Sequence, residues 1–160
     1  MTQVRFYHLR RETLEQVLPQ LLEKTLERGW RALVIAGSDT RVEALNGLLW
    51  NYARESFLPH GSKKDGYVDR QPIWLTDADE NPNSANVLFL VDGAESQRIA
   101  EFDLCCEVFD GRDDLAVAGA RAHWKICKEA GFGLTYWQQT ERGEWQKMAE
   151  SRGKAHDNTA

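Results

Sequence analysis

The sequence predicts an α/β domain with a mostly parallel sheet and helices on both of its faces. The chain has 160 residues, the size of one domain, and 42% of them are hydrophobic, which is enough to fill a core. Short runs that are apolar throughout alternate with segments whose apolar residues recur every three or four positions. Such runs fit strands covered on both faces, and their alternation with helices implies right-handed crossovers between parallel strands.

Strands and helices alternate through the first part of the chain. Val4–Leu9 mixes β-branched and aromatic residues, which is typical of a strand. Apolar residues at helical spacing over Leu14–Leu26 predict a helix that ends at Gly29. Pro19 predicts a late start or a kink in this helix, because proline lacks an N–H and its ring clashes with the preceding turn. The apolar run Ala32–Ala36 predicts a second strand, buried on both faces.

A second helix and a long loop follow. Ser38 or Asp39 is available as the N-cap of this helix, which we expect to end near Trp50. Residues 56–70 lose the helical pattern and carry proline and glycine, as surface loops do. The remaining elements alternate again: strands over 72–75, 87–91, 104–109 and 134–138, a short helix within 94–102, and a longer helix from 115 to about 130.

Composition limits the location of the protein and its thiol chemistry. No apolar run approaches the roughly 18 residues of a membrane span, and Met1–Phe6 lacks the apolar region of a signal peptide. We therefore expect a cytoplasmic protein without a membrane partner. Three cysteines without C-x-x-C spacing indicate reduced thiols. Polar residues dominate beyond Trp145, so residues 1–145 are expected to form the domain and residues 146–160 a flexible tail.

The charge of the chain bears on nucleic-acid binding. Twenty Lys and Arg residues against 25 Asp and Glu residues give a formal charge of −5. Because a negative protein repels phosphate, little direct DNA binding is expected. Binding of single-stranded DNA by Trp74, Trp137 and Trp145 is a further hypothesis, but it needs a basic groove, which the sequence does not reveal.

The sequence contains no motif that establishes catalysis. The turn at residues 36–40 has one glycine, whereas a dinucleotide fingerprint has three and a P-loop needs Gly-Lys-Ser/Thr. The histidines lack metal-ligand spacing, and Gly-x-Ser-x-Gly is absent. We expect no catalytic residue, no cofactor and no metal. The alternative is a nucleotide- or metal-dependent enzyme in which Asp39, Asp77 and Asp79 supply oxygen ligands.

Large apolar residues are concentrated where the second helix meets the long loop. Trp50, Tyr52, Phe57, Leu58 and Pro59 fall within eleven residues of one another. Exposed aromatic residues on loops are typical anchors of protein interfaces. The alternative is that Trp50 and Phe57 cover the local core, because an exposed and a buried loop aromatic look alike in a sequence.

The helix predicted from residue 115 to about 130 carries two stripes. Arg121, Lys125 and Lys128 share one face, with Trp124 beside them, and no acidic residue occurs from Leu115 to Lys128. Such a stripe suits an acidic peptide with an apolar end, although it is also compatible with an ordinary solvated face. Small residues at steps of four predict the face that lies on the sheet: Ala118, Ala122, Ile126 and Ala130.

Several of these segments, in this order, resemble a known family. The segments are Val-Arg-Phe-Tyr-His-Leu at residues 4–9, Leu48–Trp50 followed by Ser56–Gly61, Gln71–Ile73, and Ala-Arg-x-x-Trp-Lys at 120–125 leading to Ala130–Phe132. Together they resemble the chi subunit of bacterial DNA polymerase III holoenzyme over roughly residues 3 to 145. The resemblance implies a Rossmann-like α/β domain without catalytic activity of its own.

The resemblance also implies one partner for the aromatic segment. Chi-like proteins bind the psi subunit, which tethers them to the clamp loader of the replisome. The tryptophan and phenylalanine of the family motif carry that contact, and they match Trp50 and Phe57. Pro59 belongs to the same motif and joins this predicted psi site.

A second partner is implied for the cationic stripe. Chi-like proteins bind the acidic, Phe-terminated tail of single-stranded DNA-binding protein through an arginine, an aromatic residue and a lysine, which match Arg121, Trp124 and Lys125. Lys128 and His123 are additions from the stripe itself. The implied role is a cytoplasmic, nucleoid-associated adaptor without catalytic activity.

Overall fold

Seven parallel strands and one antiparallel strand form a single sheet in a computed structural model that describes residues 2–52 and 58–153. In the described residues the spatial order is β3-β4-β2-β5-β6-β1-β7-β8, and only β8 runs antiparallel to its neighbour. The strands are β1 (Gln3–Leu9), β2 (Ala32–Ile35), β3 (Gly61–Ser62), β4 (Ile73–Thr76), β5 (Val87–Leu90), β6 (Leu104–Asp110), β7 (Gly133–Gln139) and β8 (Trp145–Ser151).

Helices cover both faces of this sheet, as the sequence predicts. One core packs α1 and α2 against the sheet, with Val34 and Phe89 among its strand residues. The other core packs α3 against the opposite face, with Phe6 and Leu88 among its strand residues. The helices are α1 (Leu14–Glu27), α2 (Asp39–Tyr52) and α3 (Asp114–Glu129), with short 3₁₀ turns at Val68–Arg70 and Ile99–Glu101. In the part of the chain that the structure describes, none of the helices is both long enough and apolar enough to cross a bilayer.

The start of α1 decides between the alternatives raised by Pro19. The helix begins at Leu14, where the apolar spacing predicts it, and contains Pro19, so the late start is wrong. Thr13 and Gln16 stabilise the early start, because the amide N–H of Thr13 donates to the side-chain oxygen of Gln16 at 2.9 Å. Pro19 itself is buried.

The C-terminal region also differs from the prediction. Residues 145–151 form β8 at the edge of the sheet, so the flexible tail does not begin at residue 146. Most residues of β8 are exposed, and an exposed edge strand carries no run of apolar residues by which a sequence would reveal it. Residues 154–160 lie outside the described residues. The predicted helix within 94–102 is only the 3₁₀ turn at Ile99–Glu101.

Candidate partner-binding surfaces

The C-terminal end of α2 presents an exposed aromatic side chain. Ser38 begins the helix, because its hydroxyl accepts a hydrogen bond from the amide N–H of Arg41 at 3.2 Å. Val42, Leu45 and Leu49 face the core. Trp50 therefore points away from the core, and 64% of its surface is exposed. It does not cover the local core.

The buried ring of His60 packs against Trp50. The Nδ1 of His60 lies 2.7 Å from the carbonyl oxygen of Leu58, and its Nε2 lies 3.3 Å from the carbonyl oxygen of Asn46. These contacts tie the loop to α2. The indole of Trp50 meets the imidazole edge-on, with ring centroids 5.1 Å apart. Pro59 is half-buried between Leu58 and His60, whereas Phe57 lies outside the described residues.

The buried face of α3 is not the one predicted from its small residues. Ala120 and Cys127 are buried, and Trp124 is half-buried against the same core. The predicted face points to solvent instead, and Ile126 is 62% exposed. Aromatic and thiol side chains bury more apolar surface than alanine, so the face that contains Trp124 takes the core. The wrongly assigned residues are Ala118, Ala122, Ile126 and Ala130, all exposed.

The cationic stripe is exposed and open to a ligand. We use this name for Arg121, Lys125 and Lys128, which all point to solvent. Within residues 2–52 and 58–153 none of the three pairs with a carboxylate. Unpaired guanidinium and ammonium groups on one helix face are suited to bind carboxylates, arginine through two parallel hydrogen bonds.

Beside the cationic stripe, aromatic rings from three elements pack together. The ring of Trp124 lies 5.4 Å from that of Phe6 and 6.1 Å from that of Tyr136. The hydroxyl of Tyr136 lies 2.7 Å from the Nδ1 of His8 on the neighbouring strand. Burial lowers the pKa of His8, and the positive charges of Arg10 and Arg121 lower it further. Both effects favour the neutral imidazole.

The sequence offered little by which to find His8 and Tyr136 as a pair. His8 lies near the carboxyl end of β1 and Tyr136 in the middle of β7, and the parallel register brings Phe6 opposite Tyr136. A sequence does not show which strands are neighbours in the sheet, nor their register. Ring-bearing residues within two predicted strands were the only signal.

His123 does not belong to the exposed stripe. Its Nδ1 lies 2.6 Å from a carboxylate oxygen of Glu107 on β6, and its Nε2 lies 3.5 Å from the Sγ of Cys127. Both members of the His123–Glu107 pair are largely buried. The hydrogen bonds with Cys127 and Glu107 raise the pKa of His123 to about 10. This group fixes α3 to the sheet and is not available to a partner.

The three aspartates of the enzyme alternative do not form a site. Asp39 lies 3.9 Å from the ammonium of Lys63. Asp79 accepts hydrogen bonds from the hydroxyl of Ser96 at 2.6 Å and the amide N–H of Gln97 at 2.8 Å, so its carboxylate holds a loop together. In residues 2–52 and 58–153 no group of three or more His, Cys, Asp or Glu side chains is placed to hold a metal ion.

The fold and these surfaces define an α/β protein with an exposed aromatic surface on one helix and a cationic surface on another. A family profile described as DNA polymerase III chi subunit, HolC, matches residues 1–135. The chain therefore belongs to the DNA polymerase III chi subunit family.

Two individual proteins are similar to this chain, one in sequence and one in fold alone. The "Probable DNA polymerase III subunit chi" of Rickettsia prowazekii (strain Madrid E) is 33% identical over 109 residues. The match covers 68% of this chain and 66% of the relative, just under two thirds of its length. The C-terminal domain of the DEAD-box protein Dbp5 is similar with a TM-score of 0.57 over 86% of this chain and 90% of that chain. At 12% identity this similarity concerns the fold alone.

Proposed function

We propose that this chain is a non-catalytic accessory subunit of DNA polymerase III that connects the clamp loader, through psi, to single-stranded DNA-binding protein. The observation that carries the proposal is the cationic stripe, three exposed cations without a carboxylate partner among the described residues, on a chain whose overall charge is −5. Membership in the chi subunit family supports it.

The cationic stripe would bind the acidic tail of single-stranded DNA-binding protein. Arg121 offers two parallel N–H groups to a carboxylate, while Lys125 and Lys128 add positive charge one and two turns further along α3. The half-buried ring of Trp124 lies next to them and provides an apolar contact for the terminal phenylalanine. Charge pairing at an exposed surface weakens with salt, so this contact would be salt-sensitive.

The end of α2 would bind psi. Trp50 exposes most of its indole and packs against the ring of His60, so its apolar area is available as an anchor for a partner. Phe57 and Pro59 belong to the same motif. The helix α2 packs on one face of the sheet and α3 on the other, an arrangement that favours binding of both partners at once.

The proposed advantage of such an adaptor is avidity. Single-stranded DNA-binding protein coats its template in many copies, and each copy carries the tail. A contact that is weak on its own becomes effective when the adaptor is tethered, because the tether raises the local concentration of binding sites. In this proposal the chain would join the replisome through its partners, and its cationic stripe would not bind DNA directly.

A bridging experiment tests the proposal. An acidic peptide that ends in phenylalanine is immobilised, and psi is applied with and without this chain. Psi should be retained only when the chain is present. Trp50→Ala should leave the chain on the peptide but lose psi, and Arg121→Ala should lose both.

Two controls make the result specific. Arg142 is an exposed arginine away from α3, so Arg142→Ala should bridge like the wild type. A peptide without its terminal phenylalanine should retain less of the chain. Retention of psi by both the Trp50 and the Arg121 variants would contradict the proposal.

A further inference from the structure

A cavity of about 640 Å³ lies between α1 and the β1, β7 and β8 edge of the sheet. Aromatic rings from five segments line it, Phe89 on β5 among them. Tyr7 and Trp137 are paired on neighbouring strands, and the ring of Trp145 stands edge-on to that of Tyr7 at 5.0 Å. Trp30 lines the cavity from the segment after α1. The volume falls in the range of small-molecule sites, roughly 300–1,000 Å³.

Cations and aromatic rings line the same cavity. Arg5, Lys24 and Arg28 contribute positive charge, and Glu27 is the one acidic residue of the lining. Arg5 is half-buried, and in the described part of the chain its guanidinium has one hydrogen bond, donated to the hydroxyl of Tyr7 at 3.5 Å. A partly desolvated guanidinium without a carboxylate is suited to bind an anion.

Arginine is also placed against an aromatic face. The guanidinium carbon of Arg28 lies 5.0 Å from the ring centroid of Trp30, within the range of a cation–π contact. This contact restrains the side chain at the rim of the cavity. The cavity thus presents flat rings and fixed cations to the same ligand.

We propose that this cavity binds a nucleotide unit, with its base against the rings of Trp137 and Trp145 and its phosphate on Arg5 and Arg28. Tryptophan rings favour a flat base, because stacking contributes roughly 1–3 kcal/mol per base.

This inference modifies what the sequence suggested. Trp137 and Trp145 were candidates for contact with single-stranded DNA, but the sequence showed no basic groove. The cations come from β1 and from α1 with its C-cap residue Arg28, more than a hundred residues away along the chain, and the fold brings them to the two tryptophans. Trp74 takes no part, because it is 5% exposed within the core on the opposite face.

The nucleotide unit has two possible sources, a free mononucleotide or a single strand. The affinity for each is measured by the change in tryptophan fluorescence, on titration with thymidine monophosphate and, separately, with an oligothymidylate of eight nucleotides. We expect saturable binding, and we expect Arg28→Ala and Arg5→Gln each to weaken it at least tenfold. Arg28 is exposed, so Arg28→Ala tests the site even if Arg5→Gln does not fold.

Arg142→Ala is the matched control and should change the affinity less than twofold, because Arg142 is an exposed arginine that does not line the cavity. Oligothymidylate binding at least tenfold tighter than the mononucleotide identifies a single strand, and equal affinity identifies a free nucleotide. Three results would overturn the proposal. The first is that neither ligand binds saturably, and the second is that Arg28→Ala binds like the wild type. The third is that an acidic Phe-terminated peptide displaces the nucleotide and loses its own affinity in Arg28→Ala.

Discussion

Trp50 and Trp124 were both predicted to contact partners, yet their surroundings differ. Trp50 exposes 64% of its surface and is supported mainly by the edge of His60. Trp124 is half-buried and packs against Phe6 and Tyr136. A tryptophan like Trp50 has its apolar area available for a partner. The ring of Trp124 is largely taken up by core packing, so binding of an acidic peptide beside it depends on the surrounding cations.

The largest expected effect concerns the stability of these two variants. Trp124→Ala should lower the free energy of unfolding by roughly 2–4 kcal/mol, because it leaves a cavity in an aromatic cluster. Trp50→Ala should change it by less than about 1 kcal/mol, because it removes an exposed ring. Urea unfolding followed by circular dichroism measures both. Equal losses would contradict the difference between the two sites.

A glycine next to the aromatic cluster gives the second test. A Cβ at Gly111 would overlap the imidazole of His8 and closely approach the carbonyl oxygen of Leu9. Gly111→Ala should cost roughly 1–3 kcal/mol of unfolding free energy through overpacking. Gly119→Ala on α3 is the matched control, because a Cβ there meets nothing within 4 Å. Because alanine favours a helix interior more than glycine does, Gly119→Ala should raise the free energy of unfolding by up to about 1 kcal/mol. Similar behaviour of the two variants would contradict the tight packing of His8 and the Leu9 carbonyl around Gly111.

The pair of His123 and Glu107 predicts how stability depends on pH. The pKa of His123 is raised from 6.5 to about 10 in the folded protein. The stabilisation of the fold by protonated His123 is therefore complete below about pH 6.5 and is lost as the pH rises toward 10. Glu107→Gln should cost roughly 1–3 kcal/mol at pH 6 and less at pH 9.5. Urea unfolding at the two pH values tests this, and a loss that is the same at both would contradict it.

The smallest expected effects concern the lysines of the cationic stripe. Lys125→Ala and Lys128→Ala should each weaken binding of the acidic peptide about two- to fivefold, since an exposed ion pair contributes roughly 0.2–1 kcal/mol. The effect should shrink further at 0.5 M NaCl. The psi contact at Trp50 is apolar and should respond little to the same salt. A psi contact that weakens with salt as the peptide contact does would show that charge dominates at both surfaces.

Strands with apolar runs could be predicted from the sequence, because burial on both faces leaves a continuous pattern. The run Ala32–Ala36 and the run at 87–91 became β2 and β5, whose residues are all buried. The edge strand β8 could not be predicted, since one exposed strand has no such pattern. The faces of α3 were assigned wrongly because alanine suits a buried and an exposed position equally well, so its spacing carries little information.

The candidate sites could be predicted only in part. Exposure of Arg121, Lys125 and Lys128 follows from their charge, and the sequence already placed them on one face. The pairing of His123 with Glu107 depends on how α3 lies on the sheet, and the place of Arg5 and Trp145 around one cavity depends on which strands are neighbours. That information is in the three-dimensional arrangement of the sheet and not in local residue patterns.

One titration tests the central claim that the two partner surfaces are separate. The affinity of a labelled acidic peptide ending in phenylalanine is measured by fluorescence anisotropy for the wild type, Arg121→Ala and Trp50→Ala. We expect Arg121→Ala to weaken binding by roughly tenfold or more, since a hydrogen bond between charged groups contributes about 1.5–3 kcal/mol. Trp50→Ala should bind like the wild type. An unchanged affinity in Arg121→Ala, or an equal loss in Trp50→Ala, would contradict the claim.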